Sequence, residues 1–310
     1  MTEGKEDMEQ RPNRDRHLDT CEDDRIWEHN AWDNIPWTPD QQAQVLHTIQ
    51  TQRDLAQPLS PQQLHEHCEQ AGSKWDAFYA NHSRWFFKDR KWLEMEFPEV
   101  FDLQNLRIWE VGCGAGNTLF PLCKARSAKG PVSGEMIYAC DFSQNAVDLV
   151  RGSREYDPAQ MCAFQHDLTA PQLPEEIQEA SLDVILAIFV LSALPPSKLH
   201  DVFQKLYRAL KPGGLLLFRD YGRGDLTQLR FKPQRLLDAN NDFYQRGDGT
   251  DVHFFTEEEC ADVAQAAGFL VEENVTDRRV IVNRLRKLTM FRVWQQGKYR
   301  KPHTQPNKGC

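Results

Sequence analysis

Residues 108 to 116, Ile-Trp-Glu-Val-Gly-Cys-Gly-Ala-Gly, constrain this chain more than any other stretch. An apolar run enters three glycines, Gly112, Gly114 and Gly116, and leaves in a helical pattern. Glycine tolerates the positive φ of a tight strand-to-helix turn, and without a Cβ it lets a ligand approach the backbone. A second apolar run, Met136 to Cys140, ends in Asp141, where such folds hold a ribose by its two hydroxyls. Turn and carboxylate together predict an α/β fold that binds a nucleotide cofactor.

Spacing separates the cofactor classes. A dinucleotide fingerprint requires glycine or alanine at position 117, which here is Asn117. The pattern Glu110-x-Gly112-x-Gly114-x-Gly116 instead resembles the first motif of class I methyltransferases, which implies S-adenosylmethionine; a nicotinamide cofactor or an empty α/β turn are the alternatives. His166-Asp167-Leu168, after the short apolar run Met161 to Phe164, fits the place where that fold meets the adenine amino group. Leu182 to Phe189 reads as the fourth strand, with Asp183 at its start as a structural carboxylate.

A chain of 310 residues with 40% apolar content can bury a proper core in one large or two small domains. No run approaches the ~18 apolar residues of a membrane span, and the acidic start, Met1 to Asp7, is unlike a secretory or mitochondrial address, so the cytosol or nucleus is expected. The eight cysteines form no C-x-x-C pair and read as reduced core thiols, not as metal ligands. Net charge is -9, yet residues 276–310 hold ten Lys or Arg against the single acid Asp277. A second basic cluster, Arg84, Lys88, Arg90 and Lys91, interleaves with Trp85, Phe86, Phe87 and Trp92, the mixture that single-stranded RNA sites favour. A solvated basic face is the other reading of such runs.

Along the chain, residues 1–25 read as a disordered acidic tail, charged and poor in apolar residues. Residues 26–100 read as a helical and aromatic region that begins with Trp27, Trp32 and Trp37, whose role, RNA recognition or packing, stays open. Helices are predicted near 40–53 and 61–71, each with a proline in its first turn. Residues 101–302 alternate strands and helices, the pattern of a doubly wound, mostly parallel sheet of seven strands. Lys211-Pro212-Gly213-Gly214 turns into a fifth strand ending at Asp220, and a helix near 256–267 and strands near 269–275 and 288–294 complete the count. Residues 222–255, with Arg223, Arg230, Lys232, Arg235 and Arg246, are long for a connection and read as a substrate lid; 303–310 is a tail.

Several blocks together resemble the tRNA 3-methylcytidine methyltransferases over residues 27–302: Trp75-Asp76-x-x-Tyr79, Arg84-Trp85-Phe86-Phe87-Lys88-Asp89-Arg90-x-Trp92-Leu93, Glu96-Phe97-Pro98-Glu99, Phe189-Val190-Leu191-Ser192-Ala193 and Arg219-Asp220-Tyr221-Gly222. Ala31-Trp32-Asp33-Asn34 is closer to the threonine-tRNA branch than to the serine-tRNA branch. The resemblance implies 3-methylcytidine formation in the anticodon loop, at position 32, of tRNA-Thr and of tRNA-Ser or tRNA-Arg. It further implies that some members need a helper such as an aminoacyl-tRNA synthetase.

The resemblance also implies roles. Trp75 and Tyr79 fold over the cofactor, Glu110, Gly112 and Gly114 face its methionine part, Asp141 its ribose, and Asp167 and Leu168 its adenine; Ile188 forms the wall. At i, i+4 the aromatic pair shares one helical face, a spacing that also suits a core. Asp220, at the carboxyl end of a strand, is the candidate catalytic carboxylate, with Tyr221 as stacking neighbour; a loop-capping carboxylate is the bland alternative. Arg84, Lys88, Arg90, Arg223, Arg230, Lys232, Arg279 and Arg292 are candidates for RNA contact, and Lys88, Arg90, Arg279 and Arg292 could equally lock the aromatic block onto the catalytic domain. Two other readings remain, methylation of a protein or small molecule and a non-catalytic tRNA-binding partner.

Overall fold

The computed structural model describes residues 18, 24–81, 87–130 and 135–303. Its centre is an eight-stranded sheet. The strands are β1 (Ala31–Asp33), β2 (Arg107–Val111), β3 (Met136–Asp141), β4 (Met161–Gln165), β5 (Leu182–Ile188), β6 (Leu210–Tyr221), β10 (Leu270–Asn283) and β11 (Leu288–Arg300); β7 (Leu236–Asp238), β8 (Phe243–Gln245) and β9 (Asp251–His253) form a separate antiparallel sheet. The order is β1-β10-β11-β6-β5-β2-β3-β4, with β6, β5, β2, β3 and β4 parallel and the first three pairings antiparallel. Consecutive apolar residues such as Ile185, Leu186, Ala187 and Ile188 are buried because helices cover both faces of the parallel part. β2 lies between β3 and β5, so the order reverses there and a crevice opens at the carboxyl ends of the strands.

The seven predicted strands become eight because Ala31–Asp33 pairs with Arg279–Ile281 at the sheet edge. The extension at 26–100 is therefore built into the sheet. The tryptophan block packs there: Trp32 donates its Nε1–H to the Ile26 carbonyl at 2.9 Å, Lys287 lies 4.6 Å from the Trp27 ring centroid and Arg278 5.1 Å from that of Trp37. The helices Pro39–Leu55 and Pro61–Glu69 begin as predicted, each with a capping box, Thr38 with Gln41 and Ser60 with Gln63. Residues 222–255 are a folded unit around Phe231, Tyr244 and Phe254, tied to the first of these helices by Gln52, which donates to the carbonyls of Gln228 (2.9 Å) and Phe231 (2.8 Å) and accepts from the Tyr244 hydroxyl (2.9 Å). Of the cysteines, Cys68, Cys113, Cys123, Cys140, Cys162 and Cys260 are free thiols, four of them buried; Cys21 and Cys310 lie outside the described residues.

Candidate active site

A cleft of about 470 Å³ opens at the switch point, within the roughly 300–1,000 Å³ of small-molecule sites. Its floor is made by Gly112, Asp141, the His166–Thr169 turn and Phe189–Val190, and its roof by Trp75 and Tyr79. The helix Ala71–Asn81 supplies the roof. Trp75 and Tyr79 stack with centroids 6.0 Å apart, as their spacing predicts. Gly114 has φ +52°, and a Cβ there would lie 2.5 Å from the Tyr79 hydroxyl, so the roof rests directly on the glycine turn. Asp76 pins it further. Its Oδ1 accepts from the Ser143 hydroxyl at 2.5 Å and the Asn145 N–H at 3.3 Å, while the Asn145 side chain donates to the Asp76 carbonyl at 3.1 Å. Sequence alone gives Asp76 no role, although its place beside Trp75 puts it on the same helix.

Asn117, the residue that departs from the dinucleotide fingerprint, anchors the aromatic block. Its side-chain amide donates to the Phe87 carbonyl and to Asp89, both at 3.1 Å, and its carbonyl accepts the Arg90 N–H at 2.8 Å. Arg90 then donates to Thr118 Oγ1 (2.7 Å) and the Ile188 carbonyl (3.1 Å), with Phe189 5.4 Å away. Of the two uses foreseen for Arg90, this geometry is the lock.

Asp141 ends β3 with both oxygens engaged, Oδ2 by the Gly114 N–H (2.9 Å) and Oδ1 by the Ser143 N–H (3.0 Å). Burial lifts its pKa to about 6 against these bonds. Each oxygen has a further lone pair, so a diol can still be accepted. Asp167 Oδ1 accepts from the N–H and hydroxyl of Thr169, both at 2.7 Å, which shapes its turn. His166 Nε2 has no protein partner among the described residues, and burial lowers its pKa to about 4, so the imidazole on the cleft wall is neutral. Glu110, 1% exposed, has neither oxygen paired, and burial lifts its pKa to about 8. The unpartnered His166 Nε2 on the cleft wall, a diol acceptor and two roofing aromatics fit an adenosyl cofactor.

Five expected site residues fall outside the cleft lining: Gly114, which the Tyr79 hydroxyl covers, Ile188, Asp220, Tyr221 and Glu110. Ile188 ends its strand inside the sheet core, and Phe189 and Val190 form the wall instead, because the chain leaves the strand at Phe189 and alternation stops there. Phe189 adopts φ +55°, a strained value for a bulky residue. Asp220 is fully buried and outside the cleft lining; it accepts the N–H of Ser192 and its neighbour Tyr221, both at 2.9 Å. This is the capping geometry. Tyr221 is half-buried outside the lining, its ring 5.3 Å from that of Phe189, and Arg246 and Arg292 lie 5.4 and 6.0 Å from its centroid. Glu110 sits behind the glycine turn, outside the lining. Asp183 is structural as expected, accepting the Arg107 N–H (2.8 Å) and pairing with Lys211 (2.7 Å).

Four cations of the basic C-terminal run, Arg279, Arg292, Lys298 and Arg300, are paired with carboxylates, while Arg284, Arg286 and Lys287 are exposed. Arg279 pairs with Glu96 (2.5 Å), Asp277 (3.0 Å) and Asp33 (3.3 Å). The fully buried Arg219 pairs with Asp277 and Glu96, between the rings of Trp92 (5.1 Å) and Trp294 (4.7 Å). Arg292 pairs with the buried Asp225 (2.8 Å), Lys298 with Glu99 (2.6 Å), and Arg300 with Glu272. In the 222–255 segment, Arg223 pairs with Asp242 at 3.1 Å. Lys88, Arg230 and Lys232 remain exposed, and Arg84 lies outside the described residues. Among the described residues no group of three or more His, Cys, Asp or Glu could hold a metal ion, and no helix is long and apolar enough to cross a membrane.

Comparison with known proteins accords with this geometry. A family profile described as a methyltransferase domain matches residues 109–216. Among solved structures, a SAM-dependent methyltransferase from Methanosarcina mazei matches with TM-score 0.51 at 15% identity, over 67% of this chain and 97% of that one. The 1,6-didemethyltoxoflavin-N1-methyltransferase of Burkholderia thailandensis, solved with S-adenosylhomocysteine, matches with TM-score 0.51 at 15% identity over 80% and 93%. At such identity these share the fold. Sequence relatives are nearer: the tRNA N(3)-cytidine methyltransferase METTL2 of Danio rerio is 43% identical over 89% of this chain and 86% of its own length, and that of Xenopus tropicalis 41% over 95% and 96%. The tRNA(Thr) (cytosine(32)-N(3))-methyltransferase of Saccharomyces cerevisiae is 41% identical over 91% of this chain, which spans 45% of that longer protein. With a class I cleft roofed by the Trp75–Tyr79 helix and full-length relatives above 40% identity, the chain belongs to the tRNA N(3)-cytidine methyltransferase family.

Proposed function

We propose that this chain transfers the methyl group of S-adenosylmethionine to N3 of a cytidine in tRNA, and that the target is position 32 in the anticodon loop of tRNA-Thr. One observation carries the cofactor part: Gly112, Asp141, the His166–Leu168 turn and the Trp75–Tyr79 pair, far apart in sequence, line one cleft. The substrate part rests on the names of the relatives, of which the yeast protein's specifies cytosine 32 of tRNA(Thr). S-adenosylmethionine supplies an electrophilic methyl on a sulfonium. The protein's residues position and desolvate. Asp141 accepts the ribose diol, the neutral His166 and Asp167 offer polar groups to the adenine, and Trp75 and Tyr79 exclude water above.

N3 of neutral cytosine carries a free lone pair, so no base has to act before attack; the N–C bond forms as the C–S bond breaks, and the positive charge moves to the base. Positioning therefore dominates the chemistry. N3 lies on the pairing edge, so the base must be unstacked, and an anticodon loop offers one at low cost. Phe189 and Tyr221, in contact beside the cleft, are apolar ring surface for that base, and exposed Lys88, Arg230 and Lys232 are the cations for the RNA backbone. Asp220 is assigned to holding the strand end.

The test is incubation of purified protein with labelled S-adenosylmethionine and total tRNA, then nucleoside mass spectrometry. Labelled 3-methylcytidine in tRNA-Thr is the expected product. Label in tRNA-Ser or tRNA-Arg widens the substrate set. Turnover that appears only on addition of cell extract assigns a helper protein, such as an aminoacyl-tRNA synthetase. Label in protein or small molecules alone, with none in RNA, overturns the reading.

A further inference from the structure

The helix Leu199–Ala209 turns Leu199, Val202, Phe203, Leu206 and Ala209 into the core, and Lys205 is buried among them at 3% exposure. A charge withdrawn from water is costly unless hydrogen-bonded, and an apolar side chain of similar volume would fill the space without that cost. The Lys205 ammonium donates to two backbone carbonyls, Leu168 at 2.5 Å and Ala170. One turn on, the exposed Arg208 donates to the next carbonyl of the same loop, Pro171, at 3.2 Å. The loop they hold carries His166, Asp167, Leu168 and Thr169, all four on the cleft wall. It joins the floor through the His166 N–H, which donates to the Asp141 carbonyl at 2.9 Å. A ligand running from the glycine turn past Asp141 has its base against this loop.

We propose that Lys205, backed by Arg208, is a positioning residue for the cofactor: by clamping the carbonyls of Leu168, Ala170 and Pro171 it shapes the His166–Thr169 turn, so that selectivity for the adenine base depends on side chains outside the cleft. The proposal rests on the cofactor reading above and is independent of the RNA substrate.

The full chain is titrated calorimetrically with S-adenosylhomocysteine and with its inosine analogue, and amide hydrogen exchange is followed over residues 166–171 without ligand. In Lys205→Met, S-adenosylhomocysteine affinity is expected to fall by about tenfold or more. Discrimination against the inosine analogue narrows, and the loop amides exchange faster. KM for S-adenosylmethionine rises while KM for tRNA and kcat at saturating cofactor hold, a split that general loss of structure does not produce. Arg208→Ala, at an exposed site that leaves the core intact, shifts the same quantities less, and Lys205→Arg, which keeps the donors, recovers affinity; these two variants carry the test if Lys205→Met does not fold. Unchanged affinity and discrimination in folded Lys205→Met, or in Arg208→Ala where the Met variant is unfolded, overturns the proposal. Wild-type protein that binds no S-adenosylhomocysteine overturns it together with the cofactor reading. Wild type that binds it yet methylates no tRNA overturns only the RNA reading, and the titrations still decide the role of Lys205.

Discussion

Asp220 is the residue where a catalytic and a structural role make opposite demands. Its carboxylate is fully buried and accepts two N–H groups, from Ser192, itself 1% exposed, and from Tyr221. Burial pushes its pKa up, while the hydrogen bonds from Ser192 and Tyr221 oppose that rise. Asp220→Ala leaves both donors without an acceptor, at about 1–3 kcal/mol each. Relief from burying a carboxylate offsets part of this, so the expected net loss is about 2–4 kcal/mol. At the about 2–4 °C per kcal/mol of domains of 150–250 residues, Tm falls by about 4–16 °C. Asp220→Asn keeps one acceptor oxygen and turns its amide toward the other N–H, so it loses about half as much. Thermal and urea unfolding of both variants, beside S-adenosylhomocysteine binding and single-turnover methylation, gives the measurement. The reasoning is refuted if Asp220→Ala keeps wild-type stability within about 0.5 kcal/mol and binds cofactor normally yet does not methylate. That outcome would return the carboxylate to the reacting base.

Gly114→Ala forces φ +52° on an alanine, at about 1–2 kcal/mol, and drives its Cβ to 2.5 Å from the Tyr79 hydroxyl; S-adenosylhomocysteine affinity should drop about tenfold or more, and removing the hydroxyl with Tyr79→Phe should restore part of it. Exchanging Lys88, Arg230 and Lys232 for Gln should flatten the salt dependence of tRNA binding by about 0.7 for each phosphate no longer neutralised, whereas Arg279→Gln should leave that slope alone and cost about 1–3 kcal/mol of stability, because Asp33 loses its cation and Arg219 alone is left to Glu96 and Asp277. Cofactor affinity should weaken as pH falls through about 6, where Asp141 takes up a proton, and the effect should vanish in Asp141→Asn. His166, with its pKa near 4, and Glu110, with its pKa near 8, keep one state through that window. The same raised pKa runs the other way for the free protein: the folded state binds the Asp141 proton more tightly than the unfolded chain, so this group's contribution to stability declines as pH rises from about 4 to about 6.

Local signals were readable because their causes are local. Pro39 and Pro61, in the first turns, marked helix starts within a few residues, and the buried strands of the parallel sheet stood out as unbroken apolar runs. β1, β7, β8 and β9 are three residues each, too short for any alternation to register, and only their partners make them strands.

Charge was the quantity least legible along the chain. Arg279 and Glu96 are 183 residues apart, so a run that counts as strongly basic is partly neutralised by carboxylates that folding brings to it. Asp220 failed for a related reason. The carboxyl end of a strand is where ligands bind, but which groups its oxygens meet depends on the Ser192 turn, 28 residues away.

By itself, then, the sequence determined the class I fold, the glycine turn, the carboxylate that ends β3 and the stacked Trp75–Tyr79 pair, because each depends on residue type at short spacing. Tertiary structure alone decided which cations stay free for RNA, that Asp220 caps a turn, that Phe189 and Val190 form the wall in place of Ile188, and that the tryptophan block packs on the β10–β11 hairpin. Those outcomes are set by partners distant in sequence, and pairing of buried charges and strand register exist only once the chain has closed.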